Sequence, residues 1–381
     1  MFKEFFHSEK ASGLILVGCV LVSMIVANSG WSESYIHFWE LPATLHIGNV
    51  KIPFSIGEWI NEGLMTVFFL RAGLEIEREL YAGELAEPGK AILPIFSAIG
   101  GMLVPAGIYF LMNRGTPEQS GFGIPMATDI AFSLGVLALL GKRVPLSLKI
   151  FLTALAIIDD LGSVIVIAIF YNQSLSGPFL LTALLLFALL LLLNRLGVFH
   201  LWVYIAGGIV LWFCMYRSGA HPTLSGVMLA FAIPFRKKAN GHASARLEHF
   251  LHRPVAFIIV PLFALANTAI PLISGWQKEL FSHSSLGIEL GLLVGKPLGI
   301  FGFSMLAIGL GWSTMPKNAN KKQLAGIGLL GGIGFTISIF VSNLAFPNDP
   351  EKIQSAKTAV LFASLLAGIS GWYFLRFQRR A

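Results

Sequence analysis

The chain has 381 residues, 55% of them hydrophobic, with a mean hydropathy of +0.74 and only 12% charged residues. A soluble protein carries roughly 25% charged residues. The composition therefore excludes a soluble enzyme, a disordered chain and a collagen-like fibre, and leaves an all-α polytopic membrane protein. The net charge of +7 reads as cationic loops on one side of a membrane, and no nucleic-acid partner is expected. Cys19 and Cys214 lie in apolar runs without metal-ligand spacing, so packing is the expected role of both.

In chain order, apolar runs bounded by Gly, Pro and charge predict twelve membrane helices. They cover about 12–28, 58–80, 91–112, 122–140, 146–171, 178–195, 199–217, 219–235, 254–274, 286–311, 323–345 and 355–376. No cleavable leader is expected, because the first apolar run follows MFKEFFHSEK without a small-residue cleavage site. With the N-terminus inside, 19 of the 27 Lys and Arg residues fall on inside segments and six outside, while Arg71 and Lys296 lie within the membrane. That bias predicts both termini on the cytoplasmic side. The longest connection, about 29–57, carries a short hairpin pattern in TLHIGNVKIPFSIG, with its turn at Gly48-Asn49. No separate soluble domain is visible, so residues 1–381 are expected to form one integral membrane domain.

An ionisable residue at bilayer depth is expensive and marks function. Asp129 in IPMATDIAFSLG, Asp159 and Asp160 in ALAIIDDLGSVIV, and Lys296 in LLVGKPLGIF each sit near the middle of an apolar run. Arg71 in FFLRAGLEIERE is a fifth. Neighbouring residues on a helix point about 100° apart. One of Asp159 and Asp160 could hold an ion while the other lines its path or pairs with a cation. The bland alternative is a buried ion pair that fixes helix packing.

The backbone around these charges is also unusual. Gly121, Gly123 and Pro125 precede Thr128-Asp129, and Gly331, Gly332 and Gly334 precede Thr336. Breaks at depth free carbonyls and amides, and are tolerated where the backbone lines a cavity or is buried in protein. Laid side by side, Thr128-Asp-Ile-Ala-Phe matches Thr336-Ile-Ser-Ile-Phe. Two interrupted helices in corresponding places point to a site between inverted repeats, although Gly also serves helix packing.

The strings FFLRAGLEIEREL, IPMATDIAFSLGVLALLGKRVPLSLKIFLTALAIIDDLG, SGAHPTLSGV, RLEHFLHRP, PLFALANT, GKPLGI and GIGFTISIF cover nearly the whole chain in order. On these the chain resembles the NhaA family of sodium/proton antiporters. The resemblance implies a single transporter domain of twelve helices, with inverted repeats and with helices 4 and 11 interrupted and crossing at mid-membrane. This family is itself a type example of that architecture. It implies exchange of cytoplasmic Na+ or Li+ for more than one external H+, with no enzyme activity and no cofactor. It implies a bacterial inner membrane as the location and lipid as a partner.

By match to the family motifs, Asp159 and Asp160 correspond to the Na+-binding pair, Asp160 the principal one. Asp129 and Thr128 fall at the break in helix 4, and Lys296 at the lysine facing the site, which pairs with the first aspartate of the IDD motif. The pH-responsive group maps onto Glu75, Arg78, Glu79, Glu248, His249 and His252, and His221 lies in a further pH-linked motif. The outside hairpin near residues 44–57 corresponds to a homodimer contact. One departure is Arg71, where the family carries an apolar residue. It stands one helical turn from Glu75 and is placed to pair with it.

The chemistry suits these residue types. Na+ is a hard cation and takes oxygen ligands: carboxylates, a hydroxyl and unwound backbone carbonyls. A proton competes for the same carboxylate, so one site serves both ions in turn. An ordinary aspartate titrates near ~3.9, and burial can raise an acid by about 3–5 pH units, enough to reach neutrality. Lys296 opposes such a rise in a carboxylate beside it, which favours Lys296 with Asp159 and leaves Asp160 to titrate. Net charge movement is worth roughly 2.3 kcal/mol per elementary charge across ~100 mV.

Three rivals remain. An intramembrane aspartate enzyme needs two carboxylates from separate helices or a DDxxD pattern, and neither is offered by adjacent Asp159-Asp160 followed by Leu-Gly-Ser. A Na+-coupled symporter of an organic anion needs a cationic pocket, for which Lys296 is thin support. A channel needs a pore-lining ring of charge, and none is evident.

Overall fold

The computed structural model describes residues 2–47, 50–172, 175–235, 243–272, 276–347 and 349–378. The Gly48-Asn49 turn and the cationic run Arg236-Lys237-Lys238 lie outside the described residues.

The chain begins with α1 (Phe2–Ala27) and α2 (Ser32–Glu40), then strands β1 (Leu45–Ile47) and β2 (Val50–Ile52). Next come α3 (Ile56–Glu58), a π-helical stretch Trp59–Leu64, α4 (Met65–Ala82) and α5 (Pro88–Met112). A 3-10 helix, Pro117–Met126, precedes α6 (Ile130–Leu140), followed by α7 (Leu146–Phe170), α8 (Gly177–Arg195), α9 (Leu201–Ser218) and α10 (Leu224–Ala232). Then α11 (Ala243–Pro254) passes through a π turn, Val255–Ile259, into α12 (Val260–Asn267). The rest is α13 (Trp276–Leu280), α14 (His283–Leu290), a π turn Gly291–Gly295, α15 (Lys296–Gly309), α16 (Lys321–Gly331), α17 (Phe335–Ala345) and α18 (Pro350–Arg376).

Among the described residues, seven helical stretches are long and apolar enough to cross a membrane, and three bent pairs raise the number to as many as ten. The bent pairs are Ala11–Ala27 with Ser32–Glu40 at 115°, Pro117–Met126 with Ile130–Leu140 at 41°, and Lys321–Gly331 with Phe335–Ala345 at 42°. Two of the twelve expected spans lie outside this set, for identifiable reasons. The 58–80 span becomes α4, which carries Arg71, Glu75, Glu77, Arg78 and Glu79 within 18 residues. The 219–235 span holds only the nine helical residues of α10, less than half of what a bilayer requires.

The chain divides into two compact units. The first is Met1–Gly18, Glu84–Ser163 and Leu272–Ala381; the second is Cys19–Gly83 and Val164–Pro271.

In the first unit, Leu148, Leu152 and Leu155 of α7 recur at helical spacing. They bury against a cluster with Leu134 and Leu137 of α6, Ile300 of α15 and Leu324, Ile327 and Leu330 of α16. Small residues let α5 and α15 touch backbone to backbone. A Cβ on Gly299 would lie 2.0 Å from the Gly100 carbonyl oxygen, and one on Gly100 would lie 2.3 Å from that of Gly299. One turn further along, the Ser97 and Ser304 hydroxyls meet at 2.6 Å. This contact fixes α15, and with it Lys296, the first residue after the π turn.

In the second unit, α4 packs on α10 in the same way: a Cβ on Gly226 would lie 2.3 Å from the Thr66 carbonyl oxygen. Nearly every residue of α10 is buried, so the short helix is covered by protein. The expected hairpin forms, with Leu45 opposite Ile52, His46 opposite Lys51 and Ile47 opposite Val50.

Candidate ion-translocation site

Both breaks expected from the glycine-rich strings are present in the first unit. The 3-10 helix ends at Met126 and α6 starts at Ile130, with Asp129 in extended backbone. α16 ends at Gly331 and α17 starts at Phe335. A ten-residue 3-10 stretch is unusually long, and such stretches mark hinges or functional sites.

The freed backbone groups find partners across the breaks, as burial demands. The Asp129 N–H donates to the Ile333 carbonyl at 2.6 Å. Asp129 Oδ1 accepts from the Phe132 N–H at 2.9 Å and Oδ2 from the Thr336 N–H at 3.1 Å. One carboxylate thus caps the N-termini of α6 and α17 together, where helix dipoles favour negative charge.

The other ends are held by hydroxyls. Ser133, fourth in α6, donates to the Leu330 carbonyl at 3.0 Å; Ser338, fourth in α17, donates to the Ile124 carbonyl at 2.6 Å. This exchange corrects the register of the sequence match. Counted from the helix starts, Thr128 corresponds to Ile333, three residues before Thr336. The TDIAF and TISIF strings are alike without occupying equivalent places.

The titratable centre lies beside these breaks. Asp159 of α7 and Lys296 of α15 are both completely buried, and Lys296 Nζ stands 2.9 Å from Asp159 Oδ2. The Thr128 hydroxyl reaches the same Oδ2 at 2.7 Å and the Gly331 carbonyl at 3.0 Å. Its single proton serves one of them at a time. Lys296 also donates to the Met126 carbonyl, the last of the 3-10 helix, where a cation complements the helix end. Asp159 Oδ1 has no hydrogen-bond partner among the described residues. Asp160 is 4% exposed and within electrostatic range of Lys296.

Five of the expected site residues, Thr128, Asp129, Asp159, Asp160 and Lys296, therefore belong to one unit. Asp159, Lys296 and Thr128 share one oxygen, while Asp129 holds the helix ends. Sequence reasoning missed the carbonyls of Met126 and Gly331, which no side-chain pattern can announce. It also missed Ser133 and Ser338, whose only signal is their equal distance from the two breaks.

The expected pH-response residues lie in the second unit. Arg78 stands 3.0 Å from Glu79, 3.2 Å from Glu248 and 3.8 Å from Glu75. Arg71 pairs with Glu75 at 3.0 Å, as its one-turn spacing predicts. His252 is half-buried within electrostatic range of Arg71 and Glu75, and His249 is exposed. His221 makes its own contact, with Nε2 2.6 Å from the Tyr171 carbonyl. Glu77, overlooked in the EIERE run, is buried and accepts from the Ser244 hydroxyl at 3.2 Å. Among the described residues no group of three or more His, Cys, Asp or Glu is arranged to hold a metal ion.

Long apolar helices, two discontinuous helices tied at their breaks and a buried carboxylate–lysine pair beside them define a multi-pass membrane transporter. The chain matches the family described as Na+/H+ antiporter 1 over residues 3–375 and belongs to it. It is 55% identical to the Na(+)/H(+) antiporter NhaA of Flavobacterium psychrophilum over 99% of this chain and 96% of that one. It is 47% identical to the NhaA of Escherichia coli O1:K1 / APEC over 99% and 98% of the two chains. In fold it is similar to the sodium proton antiporter MjNhaP1 from Methanocaldococcus jannaschii, with a TM-score of 0.53 at 16% identity, covering 98% of this chain and 99% of that one.

Proposed function

We propose that this chain exports Na+ or Li+ from the cytoplasm in exchange for external H+, more than one per cation, by alternating access at Asp159 and Asp160. The observation that carries the reading is the asymmetry of Asp159. One oxygen is held by Lys296 and Thr128, while the other, equally buried, has no hydrogen-bond partner among the described residues. Hard cations take oxygen ligands. The carboxylates, the Thr128 hydroxyl and the carbonyls at the breaks supply them. A proton on a carboxylate removes the charge that attracts the cation, so the two ions exclude each other.

Lys296 has two parts in this cycle. Paired with Asp159, it offsets a buried charge while no cation is present. When a cation arrives, the pair must loosen, and the Met126 carbonyl remains as a partner for the ammonium. That commitment to Asp159 and Met126 also speaks against an organic-anion symporter. Inward movement of an extra proton per cycle lets the membrane potential drive export when the outside is alkaline.

The wider reading follows the family. It is one transporter domain of twelve spans, with helices 4 and 11 crossing at mid-membrane, both termini cytoplasmic and an inner-membrane location. The Arg78 cluster, His249, His252 and His221 regulate by pH, and residues about 44–57 make a homodimer contact.

The test is Na+-induced proton movement in everted vesicles from an antiporter-deficient strain, at several pH values, beside Asp160→Asn. Collapse of an imposed pH gradient by Na+ or Li+, lost in Asp160→Asn, is the expected result. No collapse at any pH, with the protein present in the membrane, would overturn the reading.

A further inference from the structure

One turn apart on α7, Asp159 Oδ1 and Ser163 Oγ are both buried and have no hydrogen-bond partner among the described residues. Ser163 is 3% exposed. A helical serine commonly returns its hydroxyl to the carbonyl four residues back, as Ser97 does to Leu93 and Ser304 to Ile300 in the neighbouring helices. Ser163 makes no such bond. A buried hydroxyl left unpaired is costly, and it calls for an explanation.

Residues four apart on a helix are surface neighbours, so Ser163 and Asp159 share one face. That face lies under α5. A Cβ on Gly101 would be 4.0 Å from Asp159 Oδ1, and one on Gly162 would be 2.2 Å from Met102 Sδ. Gly101 and Met102 therefore cover this turn at Asp159 and at Gly162, and Ser163 beside them is buried in protein as well.

We propose that Ser163 Oγ is a further oxygen ligand of the transported cation, acting with Asp159 Oδ1 and strengthening its binding. The inference rests on the antiport reading and adds a neutral ligand to its carboxylates. A hydroxyl binds a small hard cation through its lone pairs and carries no charge. It raises affinity without changing the number of protons exchanged.

The test is calorimetric titration of purified protein with NaCl and with LiCl, against a choline chloride control, together with KM for each ion in vesicles. Ser163→Ala should raise Kd and KM for both ions by roughly 2- to 10-fold, the scale of one lost polar contact, with maximal exchange rate retained. Ser163→Thr keeps the hydroxyl and should stay near the wild type. Ser163→Cys, which keeps the volume and replaces the hard oxygen by sulfur, is read in place of Ser163→Ala if the alanine protein does not accumulate, with the same expectation. Unchanged Kd and KM in the hydroxyl-free variant would overturn the proposal, as would an equal loss in Ser163→Thr. Binding is read apart from exchange. A wild type that binds Na+ but moves no protons, with binding weakened by Ser163→Ala, would retire antiport and keep the ligand. A wild type that exchanges normally, with binding untouched by Ser163→Ala, would retire the ligand alone.

Discussion

Asp159 and Lys296 are completely enclosed, whereas Arg78 keeps 41% of its side chain exposed while it holds Glu75, Glu79 and Glu248. The first group has one cation and a shared oxygen; the second has two arginines among several carboxylates. Burial makes the first pair expensive to keep and more expensive to break. The exposed guanidinium of Arg78 can trade a carboxylate for water at little cost, although Glu75 itself is buried. The contrast separates two kinds of charge in one membrane protein. An enclosed pair is matched to a specific ion, and a half-open cluster is suited to sensing the solution.

The comparison can be broken most directly at Lys296. Lys296→Ala leaves Asp159 buried beside Thr128 alone, and should destabilise the protein by about 3–5 kcal/mol. Thermal unfolding in detergent reads this, and the double variant Asp159→Asn with Lys296→Met should recover most of the loss. An unchanged melting temperature in Lys296→Ala would mean that the pair contributes nothing.

A packing change should follow in size. Gly299→Ala places a methyl 2.0 Å from the Gly100 carbonyl and forces α5 and α15 apart, at about 1–3 kcal/mol or more. Gly302, with open space around it, is the control. Gly302→Ala should be neutral or slightly stabilising, since alanine is the better helix former. Equal effects at both positions would refute the close contact.

In the open cluster the expected effects are on response. Arg71→Leu removes the second cation from Glu75, which is buried, while Arg78 stays within reach of it. The cluster then carries one positive charge fewer, so the onset of exchange should move to more alkaline pH. An identical pH profile would show that Arg71 is silent.

The smallest effect is expected at Asp349, an exposed cap of α18. Its carboxylate accepts the Lys352 N–H at 3.1 Å and pairs with Lys352 Nζ at 3.2 Å. The backbone hydrogen bond from Lys352 comes first among the contacts that hold this carboxyl below its ordinary range. A lowered carboxyl stabilises the fold above its unfolded pKa, and that contribution fades as pH falls through the folded value. Asp349→Ala should melt slightly earlier than the wild type at neutral pH, with the gap closing in acid. A gap of constant size across that range would contradict the capping charge.

Much of the candidate site was legible because charges stand out against apolar sequence. Asp129, Asp159, Asp160 and Lys296 were marked by depth alone, and the breaks by clustered Gly and Pro. Arg71 and Glu75 were paired by helical spacing. What escaped depends on geometry that composition does not carry. The carbonyls of Met126 and Gly331 have no side-chain signature. Ser133 and Ser338 look like any serine until the helix starts are known, and the similar TDIAF and TISIF strings suggested a register that those starts revise. On hydropathy α10 read as a span, because a helix buried in protein and one buried in lipid are equally apolar.

Asp129 closes two helix ends with one carboxylate, so it behaves as a shared bearing. If α6 tilted alone, either the Phe132 or the Thr336 amide would lose its acceptor in a setting where water cannot replace it. The low-cost motion moves both half-helices about that point in concert. A displacement of α6 would then carry α17 with it, because one carboxylate ties both helix starts.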